Sequence, residues 1–176
     1  MDLFEAIERR HSYRGALKDV RVPRKDLRRI VEAGIRAPSG CNAQTTSFVI
    51  VDDPALLTPI AALLAGPVFR DAKAMIVCVV ENRDVFQGMA FGPEDCAAAV
   101  ENMLLAITSL GYATVWTDGA LRREDRAGRI GDLLGVPTDR VVRVILPIGV
   151  PVETLPQRDR KPFAERAGFN RYGSPE

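Results

Sequence analysis

Seven consecutive apolar residues, Ala74 to Val80, lie between Lys73 and Glu81. A run of that length and composition reads as a β-strand buried on both faces. A strand without a polar face needs cover on two sides. The chain has the material for it: 176 residues, 47% hydrophobic, enough for one domain that buries about 70% of the surface its unfolded form exposes. Residues 1–176 are therefore read as a single domain.

The periodicity around that run alternates between helix and strand. Asp2 followed by Glu5 has capping-box spacing, and Leu3, Phe4 and Ile7 share one face of a helix running to about Arg10. Pro23 opens a second helix with Leu27, Ile30, Val31 and Ile35 on one stripe, ended by Pro38 and Gly40. Phe48 to Val51 reads as a strand and Leu56 to Ala65 as a short helix. Glu94 to Leu110 is apolar on nearly every side, stopped by Gly111, and should be central. Ala113 to Trp116 reads as a short strand, Glu124 to Leu134 as a helix, and Val141 to Ile148 as the last buried strand. The fold class is α+β.

Several functions are excluded or weakened at once. No two glycines lie two apart and no G-x-x-x-x-G-K-[ST] occurs, so the dinucleotide-binding turn and the P-loop are both absent. His11 is the only histidine, which removes histidine-pair metal sites and leaves serine or cysteine nucleophiles without a ready base. No metal site is expected. Cys41, Cys78 and Cys96 form no C-x-x-C pair and fit a reducing cytoplasm. No signal peptide or membrane anchor is expected. The net charge is +1, so bulk attraction to nucleic acid or anionic membrane is disfavoured. That charge is uneven, however: +4 over residues 1–36, −6 over 37–120 and +3 over 121–176. With few acid, base or nucleophile constellations of its own, an enzyme of this composition would rely on a bound cofactor.

Four segments have the chemistry to hold one. Arg9-Arg10-His11-Ser12-Tyr13-Arg14 gathers guanidinium groups, an imidazole and a hydroxyl, which suits a phosphate. Cations complementing a helix C-terminus are the plain alternative. Ala37-Pro38-Ser39-Gly40-Cys41-Asn42-Ala43-Gln44 offers polar groups to the edge of a heterocycle, or is a simple helix stop. Trp116-Thr117-Asp118-Gly119 ends a strand with a glycine that lets backbone N–H groups approach a ligand, or is only a turn. In Arg158-Asp159-Arg160-Lys161-Pro162 the alternate arginines would face one side of an extended chain, or a solvated tail. Glu101 and Asn102 are polar intrusions in the most apolar helix.

In this order the segments resemble the FMN-dependent nitroreductase family. The carrying matches are Arg10-His11-Ser12-x-Arg14, Ala37-Pro38-Ser39-x-x-Asn42-x-Gln44, Glu101-Asn102 followed by Leu110-Gly111, and Arg158-x-Arg160-Lys161-Pro162. The resemblance runs nearly end to end. One departure stands out: where family members often continue with Pro-Trp, this chain reads Gln44-Thr45-Thr46-Ser47.

The resemblance implies a three-layer α/β/α sandwich with a central, mostly antiparallel sheet, forming an intertwined homodimer with two FMN sites at the subunit interface. Arg10, Ser12, Arg158 and Arg160 would hold the phosphate, with His11 beside it. Arg14 would lie near the pyrimidine edge of the flavin and tune it. Pro38, Ser39 and Asn42 would come from the partner subunit, and Gly119 would offer a backbone N–H to N5. The implied activity is ping-pong transfer of hydride from NAD(P)H to an electron-poor small molecule: a nitroaromatic, quinone or enone. The alternatives are a specialised relative, such as a reductive dehalogenase or flavin-consuming synthase, and a non-catalytic flavin-binding protein.

Overall fold

The structure, a computed structural model, describes residues 1–155 and 157–174. Among these, three strands form one antiparallel sheet, with β2 (Ala74–Glu81) between β1 (Thr46–Val51) and β3 (Arg140–Ile148). Every residue of β2 except Glu81 is buried, and its side chains divide by parity. Met75, Val77 and Val79 face one hydrophobic cluster, whereas Ala74, Ile76, Cys78 and Val80 face another. That division follows from the two-residue repeat of a strand. The apolar run therefore fills two cores, one on each side of the sheet.

The first core is closed by α3 (Pro54–Leu63), α4 (Pro67–Asp71) and α6 (Arg126–Leu134), the second by α2 (Arg24–Ile35) and α5 (Gly92–Ser109). This is the expected three-layer arrangement. Each large side chain buried in either core contributes roughly 1.5–3 kcal/mol. Helix α1 (Leu3–Arg9) lies against α5, and a short α7 (Phe163–Arg166) sits in the C-terminal tail.

The strand expected at Ala113–Trp116 is only partly realised, for a local reason. Ala113 and Gly149 exchange both backbone hydrogen bonds, and so do Thr117 and Ile145. The rung between them pairs Val115 with Pro147, which has no N–H to donate. The ladder is broken there, yet the segment stays in register beside β3. On its other side the Thr114 carbonyl accepts from the Tyr13 amide at 2.8 Å.

A second irregularity lies within β3. Cys78 pairs with Val144 and Val79 with Val142, leaving Arg143 as the extra residue of a β-bulge. The alternation of β3 is consequently broken: Val142 and Ile145 face the first core, Val144 and Leu146 the second.

Other expectations need correction. Helix α6 starts at Arg126 because Glu124 and Asp125 are both left-handed, with φ of 53° and 50°. Helix α5 is not enclosed all round. Cys96, Ala99, Val100, Met103, Leu104 and Ile107 form its buried stripe, while Ala97, Ala98 and Leu105 are only partly covered. In α1 only Ala6 is buried. Leu3, Phe4 and Ile7, the face expected to pack inward, are 61%, 74% and 45% exposed.

Candidate functional site

The segment between α1 and α2 runs along the edge formed by residues 113–117. Tyr13 anchors it, fully buried, its hydroxyl donating to the Ala16 carbonyl at 2.7 Å. With Tyr13 turned inward, its neighbours Ser12 and Arg14 turn out to the surface. They enter a cleft of about 530 Å³ lined also by His11, Gln157, Arg158 and Arg160. The basic termini of the chain therefore meet here, and the alternate arginines of the tail do share one side.

The cleft has the chemistry of an anion site. Arg14, Arg158 and Arg160 make no carboxylate ion pair among the described residues. His11 Nδ1 lies 3.0 Å from the Arg9 carbonyl, to which it donates, and this leaves Nε2 buried with no partner. An orphaned ring nitrogen beside three guanidinium groups suits a phosphorylated, hydroxyl-bearing ligand. Arg10 goes elsewhere: its Nε lies 3.5 Å from Glu101 on α5, and it does not line the cleft. That pair accounts for Glu101. Asn102 has its own task, donating to the Ala33 carbonyl at 3.1 Å and so tying α5 to α2.

Arg14 also lines a second cleft of about 390 Å³, so the two adjoin. Val68, Phe69, Val115 and Trp116 give this one apolar walls, and Gly119 lies on its rim. Gly119 is exposed, its amide has no partner among the described residues, and a Cβ added there would meet nothing within 4 Å. The space in front of it is open to a ligand. The preceding residue is clamped: Asp118 receives Arg122 through two bonds of 2.8 Å and Arg143, the bulge residue, at 2.7 Å. The Arg122 hydrogen bonds, with Arg143 beside them, hold the Asp118 carboxyl below the usual carboxylate range.

Pro38 and Ser39 are not in either cleft. They line a third cavity of about 350 Å³ between α2 and the start of α5, and Asn42 stands on the exposed loop beside it. This cavity shares no lining residue with the other two. The loop is held without the Pro-Trp pair. Thr45 is buried and donates to Asp95 at 2.7 Å, and the other Asp95 oxygen accepts from the Gly40 amide at 2.7 Å. Gln44 closes the loop through its backbone, donating to Ser39 Oγ at 3.0 Å. Gly40 is required by contact, since a Cβ there would lie 2.3 Å from the Phe91 ring.

Arg126, Arg143, Thr45 and Asp95 were missed by sequence reasoning. Only Arg143 left a trace, a charge inside the apolar run Val141-Val142-Arg143-Val144.

The model of the Nitroreductase family matches residues 7–75 and 57–150. The chain belongs to the nitroreductase family. A Methanothermobacter thermautotrophicus protein, provisionally named an NADH dehydrogenase/NAD(P)H nitroreductase, is 34% identical over 161 residues, which is 90% of this chain and 82% of that protein. Among solved structures, an FMN-dependent nitroreductase from Clostridium difficile R20291 superposes with a TM-score of 0.80 at 25% identity, over 96% of this chain and 99% of that one. A provisionally named nitroreductase from Desulfovibrio desulfuricans, solved in complex with FMN, gives 0.78 at 29% identity over 94% of each chain. The three-layer architecture of this nitroreductase-family member is thus that of its relatives.

Proposed function

We propose that this chain is an FMN-dependent oxidoreductase that passes hydride from NAD(P)H to an electron-poor small molecule in two separate half-reactions. The observation that carries the reading is the pair of adjoining clefts joined at Arg14: one cationic with an orphaned imidazole nitrogen, the other apolar with a free backbone N–H. A polar, phosphorylated tail and a planar ring are the ligand parts they suit. The names of the family relatives, which include NAD(P)H and FMN, support it.

Bound FMN supplies a ring that accepts hydride and later releases it to an acceptor. The residues of the chain hold that ring and set its charge environment. Arg158 and Arg160 grip the phosphate with charge-assisted bonds, Ser12 adds a neutral donor, and His11 Nε2 takes the remaining polar contact. Arg14 would supply positive charge beside the bound ring, and the free Gly119 N–H would be available to donate a hydrogen bond to it. Val68, Phe69 and Trp116 exclude water around the ring. Arg10, paired to Glu101, steadies the start of the binding segment from behind.

The active unit we propose is a homodimer. The exposed Leu3, Phe4 and Ile7 and the half-covered Ala97, Ala98 and Leu105 supply an apolar face for a second copy. In that arrangement Pro38, Ser39 and Asn42 of one copy reach the flavin held by the other, which explains why their cavity is separate within one chain. Nitroaromatics, quinones and enones are the acceptors. We assign the protein to the cytoplasm, a reading that its three free cysteines and its use of a nicotinamide coenzyme support. No helix among the described residues is long and apolar enough to cross a membrane.

Anaerobic mixing tests the reaction. FMN-loaded protein should lose its visible flavin absorbance with NADH or NADPH alone, and regain it when a quinone is added after the nicotinamide is removed. Reduction that needs acceptor and nicotinamide together would contradict two half-reactions.

A further inference from the structure

We infer that Arg126, which no motif singles out, is a second cation of the ring-binding cleft and acts with Arg14 on the negative charge that the flavin acquires on reduction. The inference rests on the flavin reading above.

Backbone geometry brings Arg126 to the cleft. Glu124 and Asp125 are consecutive left-handed residues, with φ of 53° and 50°, and neither is glycine. Such conformations are unfavourable for ordinary residues and persist where the surroundings impose them. This turn makes Arg126 the first residue of α6, and its side chain lines the same cleft as Arg14, Gly119 and Trp116. Only 22% of that side chain is exposed. Glu124 accepts from Nη2 at 2.8 Å, and its own side chain is 70% exposed, so it holds the guanidinium from the solvent side. Nε and Nη1 have no partner among the described residues.

The charge balance of the cleft gives that guanidinium a role. Asp118 is the one acid among the described lining residues, and both of its oxygens are engaged by Arg122 and Arg143. What remains facing the cleft is Arg14, without a carboxylate partner among the described residues, and Arg126, whose one carboxylate partner, Glu124, does not line the cleft and is 70% exposed, so that solvent screens it. The walls formed by Phe69 and Trp116 lower the local dielectric, which strengthens the pull of both cations on an anion between them. Hydride from NAD(P)H brings two electrons and one proton to N5, leaves NAD(P)⁺, and adds one negative charge on the pyrimidine ring. No proton has to be supplied from the protein if two guanidinium groups hold that charge. Arg126 thereby favours reduced over oxidised flavin and raises the reduction potential of the holoprotein.

The test is the midpoint potential of FMN bound to the wild type, Arg126→Met, Arg126→Gln and Arg126→Lys, measured against a redox dye without any acceptor. Both neutral variants should bind reduced flavin about tenfold less tightly relative to oxidised flavin, a potential lower by about 30 mV for a two-electron couple. Arg126→Lys should recover most of that shift, which a merely structural role would not produce. Neutral variants that bind FMN and keep the wild-type potential would overturn the inference and leave the flavin reading intact. A wild-type protein that takes up no FMN would overturn both.

Discussion

The carboxylate of Asp95, in the first turn of α5, accepts a hydrogen bond from the Gly40 amide at 2.7 Å, fifty-five positions away in the chain. Its other oxygen accepts from Thr45 at the same distance, so one buried acid closes both ends of the turn that follows Ser39. Between them Cys41, Asn42 and Gln44 all have positive φ, near 50°. This turn is thus anchored by a buried carboxylate.

Asp95→Ala should leave the Gly40 amide and the Thr45 hydroxyl unpaired in a buried place. Bonds to a charged acceptor are worth about 1.5–3 kcal/mol each, and the loss should be about 3 kcal/mol in total. Thermal unfolding would show it as a lower midpoint. FMN affinity should fall as well, because the loop carrying Ser39 and Asn42 loses its hold. Asp95→Asn, which keeps an acceptor for one partner, should lose less.

Tyr112 donates to Asp26 at 2.8 Å, joining the segment just after α5 to the first turn of α2. Partial burial first, and the Asp26 carboxylate second, push the phenol up to about 12. In the unfolded chain it titrates near 10. Between those values the unfolded state has lost a proton that the folded state keeps, so stability falls as pH rises through that window. The hydrogen bond should make the wild type more stable than Tyr112→Phe by about 1 kcal/mol at neutral pH. Urea titrations at stepped pH should show that advantage shrinking from about pH 10 and gone near pH 12. A difference independent of pH would count against the pairing.

Phe4 is 74% exposed on a helix whose neighbours Leu3 and Ile7 are exposed too. If this face joins two copies, Phe4→Glu should turn a dimer into a monomer in light-scattering measurements. FMN binding should drop with it, since each site then lacks the second loop. A dimer that survives the substitution would place the interface elsewhere.

Much of this was readable in the sequence because it rests on short-range periodicity. The apolar run Ala74–Val80, the capping of α1 by Asp2, and the alternation that sends Arg158 and Arg160 to one side all follow from residues within a few positions of each other. The rest depends on contacts between distant segments. Pro147 interrupts the edge ladder only because its register places it opposite Val115. Arg126 reaches the ring cleft only because two left-handed residues redirect the chain before α6. Leu3, Phe4 and Ile7 carry a correct helical stripe, yet periodicity marks a face for burial without saying what will cover it.

The central claim is that the cleft joining the two ends of the chain holds the phosphate of FMN. Equilibrium titration of the apoprotein with FMN and with riboflavin, which lacks only that phosphate, tests it most directly. Two charge-assisted bonds from Arg158 and Arg160 should favour FMN by at least about 100-fold. Replacing both arginines with alanine should remove most of that preference while leaving riboflavin binding unchanged. Equal affinity of the wild type for the two flavins, or no binding of either, would contradict the account.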